Sequence, residues 1–432
     1  MNKPKIVFIG AGSSKFVREV VVDLLSYPHL QGSHIALMDI DAQRLERSEK
    51  LVQRIIGELK VPATVSSTTN QREAVRDAGY VIITIMVGGF DAYHRDVAIP
   101  AKYGVLQTVS DTTGPGGVFR TIRTAPVLRR IAADVLELAP EAWVINYANP
   151  MSMNVLSLTR AGLTQVVGLC HSIQGLHRSM GRWLGIPQEE IKYTAGGINH
   201  INFFLTVTHN GEDLYPRLLA ERERIVKESP AESVRFDLLE YLGHFTPEGP
   251  MHQSEYYAWF RKDEKTAEAT GTPTFHGYHV DFNGNERRDV EIAAQIAGEK
   301  PISYGRSIEY GAQIVQALEG GPAETFYGNV PNRGLIENLP DDGIVEVPCS
   351  ADHNGIFASR VGRIPTQLAA VMRPHMALHD LAVTGTFEKN RRLIYQAVQA
   401  DPLTGAILTL PKIRAMVDEM FAANGEYLSD WK

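Results

Sequence analysis

The chain has 432 residues, 44% hydrophobic and 22% charged, the composition of a globular protein and not of a disordered or fibrous one. Its net charge of −7 argues against nucleic acid as the main partner, because phosphate binding needs a clustered excess of Lys and Arg. No stretch approaches the roughly 20 apolar residues of a membrane span, and the length favours more than one structural unit.

In chain order, Lys5–Ile9 is a short apolar, β-branched run that predicts a strand ending at Gly10. It is too short for the core of a secretion signal and is followed by glycines, not by a cleavage site. Val17, Val20, Val21 and Leu24 then recur at helical spacing. His34–Met38 predicts a second strand closed by Asp39, and Asp41 stands where the N-cap of the next helix belongs. Residues 80–87 read as a fully buried strand ending at Gly88-Gly89, and residues 143–146 and 166–169 as two more. This rhythm fails after about residue 200. The fold expected is α/β: a Rossmann-like parallel-sheet domain over residues 1–195 and an α+β substrate domain over 196–432, laid out like a lactate or malate dehydrogenase. The two cysteines, Cys170 and Cys349, cannot make a disulfide framework, so a reducing, cytoplasmic compartment is expected.

Gly10, Gly12 and Ser13 lie between the first strand and the first helix, where glycines permit a tight turn and close approach of a pyrophosphate to the helix N-terminus. The third glycine of the usual fingerprint is replaced by Lys15. Asp39, at the end of the second strand, is placed to accept hydrogen bonds from a ribose and to repel a 2′-phosphate, which favours NAD over NADP. The alternative is an ordinary glycine turn.

Three segments fall at predicted strand ends: Asn146-Tyr147-Ala148-Asn149-Pro150, Leu169-Cys170-His171-Ser172 and Gly196-Gly197-Ile198-Asn199-His200. A Cys170 thiolate and a His200 imidazole could hold a borderline-soft divalent ion with positions left open for substrate hydroxyls. Either residue taken singly also reads as packing, and Cys349, in the apolar run 344–349, is expected to be inert.

These segments carry a family resemblance. The Gly10-Ala-Gly-Ser turn, the loop Asp111-Thr-Thr-Gly-Pro-Gly-Gly, Asn146-Tyr-Ala-Asn-Pro, Cys170-His-Ser-Ile-Gln-Gly and Gly197-Ile-Asn-His resemble glycoside hydrolase family 4, as do Tyr327-Gly-Asn-Val and Val345-Glu-Val-Pro-Cys. The Cys-His-Ser-Ile version is similar to that of the family's bacterial α-galactosidases. The resemblance implies an exception to the two-carboxylate pattern of most glycosidases. In it, NAD takes a hydride from C3 of the sugar, a base removes the acidified C2 proton, the C1 group leaves, water adds and the hydride returns. It further implies Mn²⁺ or another divalent ion at Cys170 and His200 and a proton donor at His171, with mere hydrogen bonding to the substrate as that histidine's alternative. Asn149 would bind sugar or nicotinamide, and Asp111 would raise the basicity of the C2 base.

The base falls within residues 251–260, as His252 or Tyr256; Tyr256, Tyr257 and Trp259 also read as an aromatic wall. Arg95 and Arg306 are candidate substrate contacts. The phosphate-cradling loop of the family's phosphorylated-sugar members has no counterpart after this segment, so an unphosphorylated α-galactoside such as melibiose is expected. An α-glucuronide, α-galacturonide or α-glucoside stays open. The family also implies a homodimer or homotetramer. Two other classes stay open: a 2-hydroxy acid dehydrogenase, which would accumulate NADH and need no thiolate ligand, and an NAD-binding protein without turnover.

Overall fold

The computed structural model describes residues 3–272, 282–429 and 431. Its strands are β1 (Lys5–Ile9), β2 (His34–Met38), β3 (Thr64–Thr68), β4 (Tyr80–Ile83), β5 (Trp143–Asn146), β6 (Val166–Gly168), β7 (Ile191–Ile198), β8 (Ile201–His209), β9 (Glu212–Asp213), β10 (Glu324–Pro331), β11 (Ile344–Asp352) and β12 (Gly355–Ala358). They form one sheet in the order β3-β2-β1-β4-β5-β6-β10-β11-β7-β8-β9, with β12 on β11. The first six are parallel. Their order, 3-2-1-4-5-6, is that of a doubly wound dinucleotide-binding sheet.

The apolar runs are continuous because both faces of this sheet are covered. On β1, Ile6 and Phe8 join one core, which also takes Ile35, Leu37, Ile82 and Val167, while Val7 and Ile9 join the other with Val81, Ile83, Val144 and Val166. Alternation along the strand thus sends successive side chains into separate cores. Each fully buried Val, Ile or Leu contributes about 1.5–3 kcal/mol. The helix Ala42–Leu59 starts as its sequence indicates: the Asp41 carboxylate accepts from the backbone N–H groups of Gln43 and Arg44 at 3.0 and 3.1 Å, a cap worth about 1 kcal/mol.

The strand expected over 80–87 ends at Ile83. Thr84 leaves the ladder to bond back over the glycine turn, its N–H donating to Ile9 O at 2.9 Å and its hydroxyl to Gly10 O at 3.0 Å. Past β6 the named strands pair antiparallel, beginning with single bridges at Asn329↔Gly168 and Glu346↔Gly197 and continuing through the long β10/β11 and β7/β8 ladders. The boundary expected after residue 195 falls inside β7. Among the described residues, no helix is long and apolar enough to cross a membrane.

Candidate functional site

The C-terminal ends of the parallel strands carry the glycine turn. The N–H groups of Gly10 and Ala11 both donate to Met38 O at 3.0 Å, and Gly12 N–H donates to Asp39 Oδ2 at 2.7 Å. A Cβ on Gly12 would lie 2.7 Å from that same oxygen, so only glycine lets the turn close on the carboxylate. The second oxygen, Oδ1, accepts from Asp41 N–H at 2.9 Å. Gly10, Gly12, Ser13 and Asp39 are therefore brought together at the N-terminus of the helix Ser14–Leu25, the geometry a dinucleotide needs.

Cys170 follows β6, and His200 sits with φ of +67° in the turn joining β7 to β8. The Tyr310 hydroxyl fixes the Cys170 backbone, accepting from its N–H at 3.2 Å and donating to its carbonyl at 2.8 Å. A third group joins them that the sequence reading missed: Glu248, whose Oε2 lies 3.3 Å from His200 Nε2. The ligand atoms of Cys170, His200 and Glu248 all lie within 4.8 Å of one another. A point therefore exists within about 2.8 Å of all three, a few tenths of an ångström beyond the roughly 2.0–2.3 Å of N, O and S bonds to a divalent ion. Thiolate, imidazole and carboxylate fit such an ion, and three protein donors leave room for substrate.

The electrostatics agree with that donor set. Burial pushes the His200 imidazole down to about 4 against the pull of Glu248, so it is neutral, as a ligand must be. Burial, then Glu248 and Glu346, push the Cys170 thiol well up; a coordinated cation reverses that, since a metal-bound thiol is deprotonated outright. Burial alone would raise Glu248, yet His200 and His252 bring its carboxyl below the usual range.

Behind the triad the helix Pro250–Tyr256 brings both candidate bases to one place. Tyr256 Oη lies 2.7 Å from His200 Nδ1 and 3.0 Å from His252 Nδ1, and the two Nδ1 atoms are 3.0 Å apart. Tyr256 also hydrogen-bonds Thr112, whose hydroxyl donates to Asp111 Oδ1 at 2.8 Å. Asp111 Oδ2 in turn accepts from Asn149 Nδ2 at 3.0 Å. Burial would raise the Asp111 carboxyl, but His252, Arg120, His200 and the Asn149 bond hold it well below the carboxylate range. Burial lowers His252, while Glu248 and Asp111 more than offset this and leave it above the ordinary imidazole value.

His171, next to the thiol, is half-exposed, with Nδ1 3.1 Å from Glu309 Oε1. Glu309 was also missed: its ion pair spans the two halves of the chain and has no local signature. Cys349 is buried in β11, as expected of packing, and burial pushes its thiol up to about 12.

Two expected substrate contacts are engaged by structural partners. Arg95 donates to Ala423 O and pairs with Glu426 at 2.6 Å, tying one helix to the C-terminal segment. Arg306 lies 4.1 Å over the Tyr27 ring and donates to Ser26 Oγ at 3.2 Å. That is past the far end of the helix Ser14–Leu25, about 18 Å along its axis from the glycine turn. Both guanidiniums found structural partners, the usual fate of a lone arginine. The expected aromatic wall is partly present: Tyr256 is buried in the triangle, while Trp259, half-exposed, stacks on Tyr257 at 5.2 Å.

Comparisons with known proteins agree with this layout. The family model described as family 4 glycosyl hydrolase matches residues 5–186, and that of the family's C-terminal domain matches residues 195–404. An α-galactosidase of Bacillus subtilis is 36% identical, over 99% of this chain and 100% of that protein. A solved Bacillus subtilis structure described as a glucosidase superposes with a TM-score of 0.88 at 26% identity, covering 97% of this chain and 100% of that one. A 6-phospho-α-glucosidase from gut microorganisms, solved in complex with NAD and Mn²⁺, has a TM-score of 0.85 at 21% identity and covers 99% of each chain. Matched by both domain models and by full-length relatives, this chain belongs to family 4 of the glycosyl hydrolases.

Proposed function

We propose that the protein hydrolyses unphosphorylated α-galactosides with the help of NAD and a divalent ion, Mn²⁺ being the first candidate. The observation that carries this reading is the convergence of Cys170, His200 and Glu248 beside His252 and Asp111, at the strand ends that also hold the glycine turn. The α-galactoside rests on the full-length similarity to the Bacillus subtilis α-galactosidase, and NAD with Mn²⁺ on the complex of the gut-microbial structure. An uncharged sugar is supported by the engagement of Arg95 and Arg306 elsewhere. A cytoplasmic location is supported by the two free thiols.

One assignment of the shared hydrogens makes His252 the base. If His200 turns its Nε2 lone pair to an ion, its Nδ1 carries hydrogen and donates to the Tyr256 oxygen. His252 Nδ1–H donates to the same oxygen, whose own hydrogen goes to Thr112 and whose order continues through Thr112 to Asp111. This assignment leaves a lone pair on His252 Nε2. His252 is then the C2 base and Tyr256 the residue that sets both tautomers. Positive charge at the triad favours the neutral, proton-accepting form of His252.

When bound, NAD would accept a hydride from C3 of the sugar while the O3 proton passes to water, leaving a ketone, and both would return at the end; the divalent ion, held by Cys170, His200 and Glu248, would draw charge from the neighbouring hydroxyls. His252 takes the C2 proton; the electron pair left behind becomes the C1–C2 double bond as the C1–O bond breaks. His171, positioned by Glu309, gives its proton to the departing oxygen. His171 then accepts a proton from water as the hydroxyl adds at C1, and His252 returns its proton to C2. Asn149, held by Asp111, would bind a sugar hydroxyl or the nicotinamide.

The test is release of nitrophenol from p-nitrophenyl α-galactoside with NAD, Mn²⁺ and a thiol, each omitted in turn. Release that needs NAD and Mn²⁺, with no NADH accumulating, is the expected result. Cleavage without NAD or metal overturns the chemistry, whereas activity only on the matching uronide or glucoside moves the substrate alone.

A further inference from the structure

The helix Pro250–Tyr256 carries one more acid that the chemistry above does not use. Glu255 is fully buried, three residues beyond His252, and its carboxylate faces the loop that leads into Asp111. Consecutive backbone N–H groups of Thr108, Val109 and Ser110 donate to it at 2.7, 3.0 and 3.0 Å, and the Thr108 hydroxyl adds a bond at 3.2 Å. Met251 O of the same helix, 2.9 Å from Thr108 Oγ1, is the alternative acceptor for that single hydroxyl hydrogen. Three backbone donors on one buried carboxylate make a nest within the protein, in the manner of a bound anion.

The loop needs such an anchor. Ser110 has φ of +58°, a left-handed conformation that costs a non-glycine residue of order 1 kcal/mol, and it immediately precedes Asp111. Beneath it, a Cβ on Gly116 would lie 1.9 Å from Ser110 Oγ and one on Gly117 2.6 Å from the Thr112 carbonyl carbon, so the next helix packs directly under the turn.

We infer that Glu255 is a positioning residue: it latches the loop 108–113 to the helix of His252, and so sets the spacing between the acid Asp111 and the base. The inference rests on the reading of His252 as base. One rigid seven-residue helix then holds both the base and the anchor of the carboxylate that tunes it, so base and acid move as a unit. A loop freed by an ångström would leave the sugar bound and slow mainly the C2 proton transfer.

The experiment compares the parent with Glu255→Gln, in which an amide N–H₂ replaces one accepting oxygen and faces backbone donors. Glu255→Asp, which keeps the charge but shortens the arm, serves if the first variant does not fold. Amide hydrogen exchange of the ligand-free protein reads the loop directly: exchange over residues 104–113 is expected to rise at least roughly tenfold, with β1 to β6 unchanged. With p-nitrophenyl α-galactoside, kcat is expected to fall roughly 10–100-fold at a KM within about twofold of the parent. Substrate deuterated at C2 is then expected to show a larger isotope effect than in the parent, because proton removal has become limiting.

Unchanged loop exchange, or a kcat loss without any rise in the C2 effect, overturns the latch. So does exchange rising throughout the chain with KM and kcat failing together, which marks a purely structural role. His252→Asn is the control for the underlying reading: if it leaves C2 proton removal at the parent rate, the base assignment fails, while loop exchange still judges the latch by itself.

Discussion

Replacing Tyr256 by Phe deletes one oxygen and leaves the ring in place, so no cavity is made. In the proton assignment above, the lost oxygen accepts from His200 Nδ1 at 2.7 Å and His252 Nδ1 at 3.0 Å, the first buried and the second partly so. A buried donor left without a partner costs about 1–3 kcal/mol, and two are released here, partly relieved by Thr112 Oγ1 at 3.2 Å from His200. Stability should fall by roughly 2–4 kcal/mol. Metal affinity and turnover should each fall about 10–100-fold, the usual effect of removing a partner that orients a ligating histidine. The assay is kcat on p-nitrophenyl α-galactoside at saturating NAD and Mn²⁺, an Mn²⁺ titration and a thermal melt, with His252→Asn measured beside it. If Tyr256→Phe loses more than roughly a thousandfold while His252→Asn stays within about tenfold of the parent, the phenol is itself the base and the tautomer argument is refuted.

Glu248→Gln keeps the shape of the third metal donor and removes its charge. Metal affinity should fall by more than the roughly 100-fold typical of an orienting partner, with NAD affinity unchanged; equal Mn²⁺ dissociation constants by calorimetry would remove Glu248 from the donor set. Asp401 caps the helix Pro402–Ile407, and burial pushes its carboxyl up to about 6 from 3.8 despite two hydrogen bonds from Thr404. Between pH 4 and 6 the folded state therefore holds a proton that the unfolded chain has lost. Stability contributed by this group is fully present below pH 4 and falls by about 3 kcal/mol as pH rises through 6. Asp401→Asn should lack that fall in urea titrations across this range, and parallel profiles for parent and variant would show that the carboxyl is not perturbed.

Five of the six parallel strands were legible because each is a short apolar run closed by glycine or a polar residue, with both faces buried; β3, Thr64–Thr68, was missed because it is a polar, partly exposed edge strand. The end of β4 was overrun by four residues and that of β6 by one; after β4, Ile85 to Val87 are as apolar as the strand, but Thr84 bonds back over Gly10. The second half was not legible in its topology: β10 and β11 are inserted between β6 and β7, an order that no local pattern announces. At the site, Cys170 and His200 stood out because their residue types are rare and lie at strand ends. Glu248 did not, because a carboxylate in Thr-Pro-Glu-Gly-Pro has the look of a solvated turn, and only its approach to His200 marks it. Glu255 lies within the segment 251–260 but did not stand out there, since its partners are backbone donors about 145 residues earlier. The two arginines were misplaced for the converse reason. Their partners, such as Glu426, are as distant in sequence as the site itself.

The seam where the parallel and antiparallel parts of the sheet meet bears on how such a chain can be altered by recombination. Cys170 lies two residues past the Gly168 bridge and His200 three past the Gly197 bridge, on opposite sides of the inserted β10 and β11 pair. Neither half owns the proposed ion site, and a chimaera joining the first half of one relative to the second half of another would inherit its donor spacing from two parents. Such hybrids would keep their nucleotide turn whole, since every residue of it comes from one side, and would vary in metal affinity. Divergence within this architecture is thus freer in the nucleotide half than across the junction, where the two parts must change together.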